Sequence, residues 1–216
     1  EGQKTLELIR TRGWAYWHHL FNPRQLLILG LLLSVIQNKK RRQEEVVTLL
    51  MGLCKCCDWD SRLCRWDITR VEGKQVFYNQ ALNTVYNYSC RSFWYIESFF
   101  KFSLKIKDLS SETFFIASDA RNCLYDSHLW ITDPPYADAI NYHELSEFFL
   151  AWYEKHLPAI FPDWYTDSKR ALAITGRDEG FRKSMVDCYR NLANHLPENG
   201  MQIVMFTHQD AAIWAD

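Results

Sequence analysis

Asp133, Pro134, Pro135 and Tyr136 stand in a row after the apolar run Leu129-Trp130-Ile131-Thr132. A carboxylate beside a proline carbonyl provides two acceptors for the two hydrogens of an NH2 group. The exocyclic amines of adenine and cytosine are poor nucleophiles, because their lone pair is delocalised into the ring. Two acceptors would localise that pair and stabilise the positive charge that develops as an electrophile arrives. Consecutive prolines stiffen the loop, so little ordering entropy remains to be lost when a base docks. Tyr136 offers an aromatic face for an extruded base, worth about 1–3 kcal/mol. The same residues also read as a strand running into an ordinary proline turn, with Tyr136 as a packing residue.

The elements that must position these groups follow from the flanking pattern. Neither proline can donate to a sheet ladder, so the strand stops at Thr132. Thr132 and Asp133 then lie at a strand's carboxyl end, where open α/β sheets hold their ligands. Upstream, Thr113 to Ala117 reads as a short strand ending in Ser118-Asp119-Ala120. Downstream, a helix begins near Asp138 or Asn141 and runs to about His156. Its apolar positions Leu145, Phe148, Phe149 and Trp152 recur at helical spacing, which predicts that it lies against the sheet. Asn141, Tyr142 and His143 could contact the base or simply start this helix. Pro158 to Asp167 reads as a loop. Glu179 to Leu196 reads as an amphipathic helix that stops at Pro197-Glu198-Asn199-Gly200. Met201 to Thr207 is a continuous apolar run of buried parallel type. Strands alternating with helices in this way indicate an α/β sheet over residues 111–216.

The first 110 residues read as a mainly helical layer. Residues 4–10 suit a helix that stops near Gly13, and Asn22-Pro23 is an N-cap followed by proline at the first helical position. The helix from Pro23 to about Asn38 is apolar nearly all round, which predicts burial on most sides. A second helix spans about Glu44 to Cys57. Val71 to Lys74 suggests a turn at Gly73, and Phe93 to Phe102 a further helix. Cys54 and Cys57 have the spacing of half a zinc site, but no second pair follows at the right distance; on a helix they share one face and serve as packing residues. No metal is expected. Arg62, Arg65, Arg70 and Lys74 interleave with Trp66, Phe77 and Tyr78, which suits either a nucleic-acid groove or a covering helical layer. His208, just past the last strand, suits either the site or a satisfied structural role.

Composition narrows the class. Apolar residues are 48% and aromatics 15% of 216 residues, with nine Trp, so a packed core is expected. The net charge of −1 excludes a global basic field, leaving only a local patch for any nucleic acid. Seven Cys without a secretory signal favour a reduced, cytoplasmic setting over a disulfide framework. The longest apolar run, Leu26 to Ile36, is too short to span a bilayer, so no membrane is expected.

Four segments carry a family resemblance. Leu20-Phe21-Asn22-Pro23-Arg24-Gln25-Leu26-Leu27 resembles "LFTPRQLL", and Ser61-Arg62-Leu63-Cys64-Arg65-Trp66 resembles "STLCRW". Thr132 to Trp152 resembles "TDPPYYDxxxYxxLSDFFYxW", and Gly200 to His208 resembles a "GG…VVVFAH" strand. These belong to the large adenine-specific DNA methylases with an Asp-Pro-Pro-Tyr motif and an uncharacterised N-terminal domain, often found beside anti-phage genes. The resemblance implies a partial Rossmann-like methyltransferase sheet with a helical N-terminal layer, and S-adenosylmethionine as methyl donor. It implies that Asp133, Pro134, Pro135 and Tyr136 are catalytic. It puts Asp119, Thr132 and Asp133 on the cofactor side, and Tyr136, Asp138, Asn141 and Tyr142 against a flipped adenine of DNA. Asp119 equally suits the cap of a turn. Partners would be DNA, the rest of the same polypeptide or other defence-system subunits. The tetrapeptide does not separate adenine N6 from cytosine N4 or an RNA base, and a catalytically inactive scaffold subunit is a further reading. The family's glycine-rich cofactor loop has no counterpart here: no Gly-x-Gly occurs among eight glycines. The expectation is a fragment holding the target-base half, inactive alone and without affinity for S-adenosylmethionine.

Overall fold

A computed structural model describes residues 3–37, 40–70, 72–78, 96–101, 113–114, 116–135, 142–162, 172–174 and 179–206. Over these residues the protein is mixed α/β, mostly helical, with one small parallel sheet. The chain divides into two compact units: residues 1–113 with 148–160, and residues 114–147 with 161–216.

The first unit is built on two helices, preceded by α1 (Gln3–Arg12). Gly13 ends α1 with φ +69°, donating its N–H to the Ile9 carbonyl at 2.9 Å. That left-handed closure is open to glycine at no steric cost. Next comes α2 (Pro23–Ile36), where the Asn22 side chain accepts the Gln25 N–H at 2.9 Å. The Gln25 side chain in turn accepts the Asn22 N–H at 2.8 Å, completing a capping box. Gln25 also donates to Asp60 Oδ1 at 3.2 Å, fastening the start of α2 to the end of α3 (Gln43–Trp59). Leu29, Ile36, Leu50, Leu53 and Cys57 are buried between these helices. The expectation that α2 is buried on most sides is corrected. Leu27, Leu31 and Val35, four residues apart, are 62%, 58% and 59% exposed. A helix beside a single partner buries one stripe however apolar its remainder is.

After α3, β1 (Trp66–Asp67) pairs antiparallel with β2 (Glu72–Gly73). The turn lies at residues 68–70, where Asp67 Oδ1 accepts the N–H groups of Thr69 (3.0 Å) and Arg70 (3.2 Å). Gly73 is therefore in the ladder, and the turn expected at it is displaced by the stronger Asx signal of Asp67. Of the helix expected at 93–102, residues 96–101 are described; a single turn, α4 (Ile96–Phe99), forms, and residues 100 and 101 lie beyond its end.

The second unit holds β3 (Leu129–Thr132), α7 (Glu179–Asn194) and β4 (Met201–Val204). The two strands pair in parallel with Leu129 opposite Met201 and Thr132 opposite Val204. Of the strand expected at 113–117, the described residues 113, 114, 116 and 117 have no regular structure, and Phe114 is 75% exposed. A strand needs a neighbour for its backbone groups, and among the described residues β3 pairs only with β4. Alternation leaves Trp130, Thr132 and Gln202 half-buried, while Leu129, Ile131, Met201 and Ile203 on the other face stay exposed. The parallel pairing of β4 matches expectation; its burial does not, because no described element covers that second face.

The helix α5 (Tyr142–Tyr153) corrects a further expectation, and α6 (Leu157–Ile160) puts a helical turn where a loop was read. The aromatic stripe of α5 packs into the first unit. Phe148 is fully buried, stacked on Phe21 (centroids 5.3 Å apart) and edge-on to Trp17, Phe77 and Phe149. Trp152 meets Phe21 edge-on at 5.5 Å, and the Tyr153 hydroxyl donates to the Leu50 carbonyl at 2.9 Å. Periodicity shows that a helix has an apolar face; aromatic partners at Trp17 and Phe21 decided where that face went.

Candidate functional site

The carboxyl end of β3 is held by the chain of β4 and the residue just past it. The Thr132 carbonyl accepts the Met205 N–H at 2.8 Å, extending the parallel ladder by one step. The Thr132 hydroxyl points back to the Ile203 carbonyl at 3.4 Å. Tyr189, from α7, lies near Thr132; its hydroxyl is buried without a hydrogen-bond partner among the described residues, and that burial raises its pKa. The ladder ends one residue later, because Pro134 and Pro135 have no N–H to offer. Asp133 is exposed, while Pro134 and Pro135 are half-buried. An exposed carboxylate and the Pro134 carbonyl therefore follow a strand end fixed by its pairing with β4. Tyr136, Asp138 and Asn141 lie outside the described residues, as does His208. Tyr142 begins α5, is 54% exposed, and its carbonyl accepts the Ser146 hydroxyl at 2.7 Å.

Asp119 takes the turn-capping setting that its sequence position allowed alongside a cofactor role. It precedes a 3-10 turn at Ala120–Asn122 and caps it by accepting the Arg121 N–H at 2.9 Å. Arg121 Nε lies 2.9 Å from both carboxylate oxygens and Nη2 lies 2.7 Å from Oδ2. This guanidinium holds the Asp119 carboxyl below the usual range. The turn is fastened to α7, where Asn191 donates to the Ala120 and Cys123 carbonyls at 3.1 and 2.9 Å. Both Asp119 oxygens are thus occupied, and the residue serves as a cap and an ion-pair partner.

Among the described residues, Cys56, Cys57 and Cys64 are packing residues. Leu53, Cys57 and Cys64 line the first unit's core, and burial pushes the Cys56 and Cys64 thiols up to about 12. Among the described residues no group of three or more His, Cys, Asp or Glu could hold a metal ion, and no helix is long and apolar enough to cross a membrane. One contributor escaped sequence reading. Tyr189 looked like one more residue of an amphipathic helix, and nothing in its spacing points to Thr132. Arg62 and Arg65 were visible as basic residues, but not as the outer side of one turn.

That turn, Ser61 to Arg65, is built from the inside. Leu63 and Cys64 are buried. The Ser61 hydroxyl accepts the Leu63 N–H at 3.3 Å, and Cys64 Sγ donates to the Asp58 carbonyl at 3.4 Å. Arg62 and Arg65 are half-buried on this turn, their guanidinium groups 5.5 Å from the Trp14 ring and 4.1 Å from the Tyr78 ring. Lys74 and Phe77, read from sequence beside them, go inward instead: Lys74 is buried 4.6 Å from the Trp59 ring, and Phe77 packs on Phe148.

No protein-family model, curated protein or solved structure matches the chain.

Proposed function

We propose that the loop after β3 is the amine-binding half of an S-adenosylmethionine-dependent methyltransferase acting on N6 of an extruded adenine in DNA. One observation carries this reading: an exposed carboxylate followed by two prolines, at the carboxyl end of a parallel strand. Asp133 and the Pro134 carbonyl would accept the two amine hydrogens, and Tyr136 would stack on the base. The parallel β3–β4 pair with α7 would be part of a Rossmann-like sheet, in a cytoplasmic protein.

The described residues do not by themselves fit S-adenosylmethionine. The sequence has no Gly-x-Gly, and Arg121 already occupies both oxygens of Asp119. When bound, that cofactor supplies the methyl group; what this chain supplies is acceptors for the amine and a rigid strand end beneath them. The same occupied Asp119 supports a second reading, a catalytically inactive scaffold subunit of a defence complex.

The test is nucleoside analysis of DNA from cells expressing the whole protein, wild type against Asp133→Ala. N6-methyladenine that falls about 100-fold or more in the variant supports the base-methylation reading. Methylated cytosine or RNA in its place reassigns the substrate. No methylated base from the wild type leaves the scaffold.

A further inference from the structure

The first unit carries a basic, aromatic surface that the proposed chemistry does not use. Four cation–ring pairs occur among the described residues, all of them in this unit. Two of them, Lys55 and Lys74 with Trp59, belong to the packing around α3. The other two lie on the outer side of the Ser61–Arg65 turn. Arg62 is set by backbone and side chain alike: its N–H donates to the Leu20 carbonyl at 2.7 Å and Nη1 to the His19 carbonyl at 3.3 Å. The Arg65 carbonyl accepts the Lys74 N–H at 2.8 Å, fixing the residue at the start of the hairpin. Its Nε is buried without a hydrogen-bond partner among the described residues.

Tyr78 is aimed at Arg65 by an unusual backbone. Phe77 has φ +60°, a left-handed conformation that bulky side chains rarely adopt. That twist lets Val76 and Phe77 enter the core while Tyr78 turns outward, 67% exposed. Nearby, Tyr16 is also 67% exposed and stacks on His18 with ring planes 9° apart.

We propose that the outer side of the Ser61–Arg65 turn, with Tyr78, binds a single-stranded stretch of DNA. Guanidinium groups offer forked donors to phosphate oxygens, and aromatic rings give sequence-tolerant platforms for unpaired bases. An acidic protein surface would satisfy the cations but has no use for the exposed ring faces. The choice of DNA over RNA rests on the methyltransferase reading above; the binding surface itself does not.

The experiment is fluorescence anisotropy of a labelled single-stranded DNA of about 16 nucleotides, the upper end of a single-strand site. The full protein is used, without S-adenosylmethionine, across a salt series. The double variant Arg62→Ala/Arg65→Ala should bind about tenfold or more weakly and flatten the logarithmic salt slope by about 1.4, two phosphate contacts' worth. Tyr78→Ala should lose about fivefold or more and leave the slope unchanged. Arg65→Lys should keep the slope and lose affinity, because charge remains and the planar stack does not. If Arg62→Ala disturbs folding by circular dichroism, Arg65→Ala with Tyr78→Ala carries the test. No binding by wild type, unchanged affinity and slope in the variants, or equal competition by polyglutamate would each overturn the proposal. Tighter binding of the matching RNA would overturn its assignment to DNA. A protein that methylates DNA yet binds independently of this turn sinks this inference alone. One that binds through the turn but never methylates sinks the methyltransferase reading alone.

Discussion

Replacing Phe148 with alanine should cost the first unit about 4–5 kcal/mol. Truncating a buried phenylalanine costs about 3–5 kcal/mol, lost transfer energy plus the cavity left behind. The upper half applies here because Phe148 is 0% exposed and its ring meets those of Phe21, Trp17, Phe77 and Phe149 at 5.0 to 6.0 Å. Aromatic pairs add about 0.5–1.5 kcal/mol each beyond area, with overlap among four pairs on one ring. Against a total stability of about 5–15 kcal/mol, the loss is most of the lower end. Phe148→Leu keeps volume and should lose about 1.5 kcal/mol or less. Urea unfolding followed by tryptophan fluorescence measures both, and amide exchange should accelerate first in α2 and α3. A loss below about 2 kcal/mol for Phe148→Ala would mean that α5 does not complete the first unit's core.

Gly52→Ala should destabilise. The added Cβ would lie 2.5 Å from the Phe100 ring, an overpacking cost of about 1–3 kcal/mol that exceeds the gain of about 1 kcal/mol in helix propensity; a raised thermal midpoint would refute it. The Asp119–Arg121 pair should stabilise the turn against α7 above the ordinary aspartate pKa of 3.8 and lose that contribution as pH falls through the depressed folded value. Asp119→Asn should therefore flatten the acid limb of an unfolding-against-pH curve, and identical limbs would refute this. Of the described thiols, Cys56, Cys57 and Cys64 should resist a disulfide reagent at pH 8 until urea unfolds the chain, since burial raises all three pKa values. Labelling of Cys57 in the folded protein, read by peptide mass mapping, would contradict the packing. Calorimetry on the chain alone should show no heat with S-adenosylmethionine; tight binding would refute the proposal that this chain does not by itself hold the cofactor.

Local signals carried the elements well and their partners poorly. Asn22-Pro23 marked the start of α2 because a capping box needs only residues three apart. Likewise, Pro134 and Pro135 marked the end of β3 because a missing N–H is a property of the residue itself. By contrast, no local signal tells Phe148 to choose Phe21 over a sheet face, or Lys74 to lie on Trp59. Those choices join residues tens of positions apart and depend on which aromatic surface is already assembled. The candidate site shows the same division. Thr132 and Asp133 were legible as a strand end, whereas the phenol of Tyr189 beneath Thr132 and the guanidinium across Asp119 arise from packing and a two-residue turn.

The division of α5 also bears on how the protein comes off the ribosome. A ring that fills the centre of the first unit's core is encoded more than a hundred residues after Phe21, beyond the Asp-Pro-Pro segment. During synthesis the early helices must wait, with Phe21 and Trp17 uncovered, until that late phenylalanine emerges. The first unit cannot mature ahead of the loop proposed for catalysis, and a chain ending near residue 110 would hold helices missing the ring that closes them.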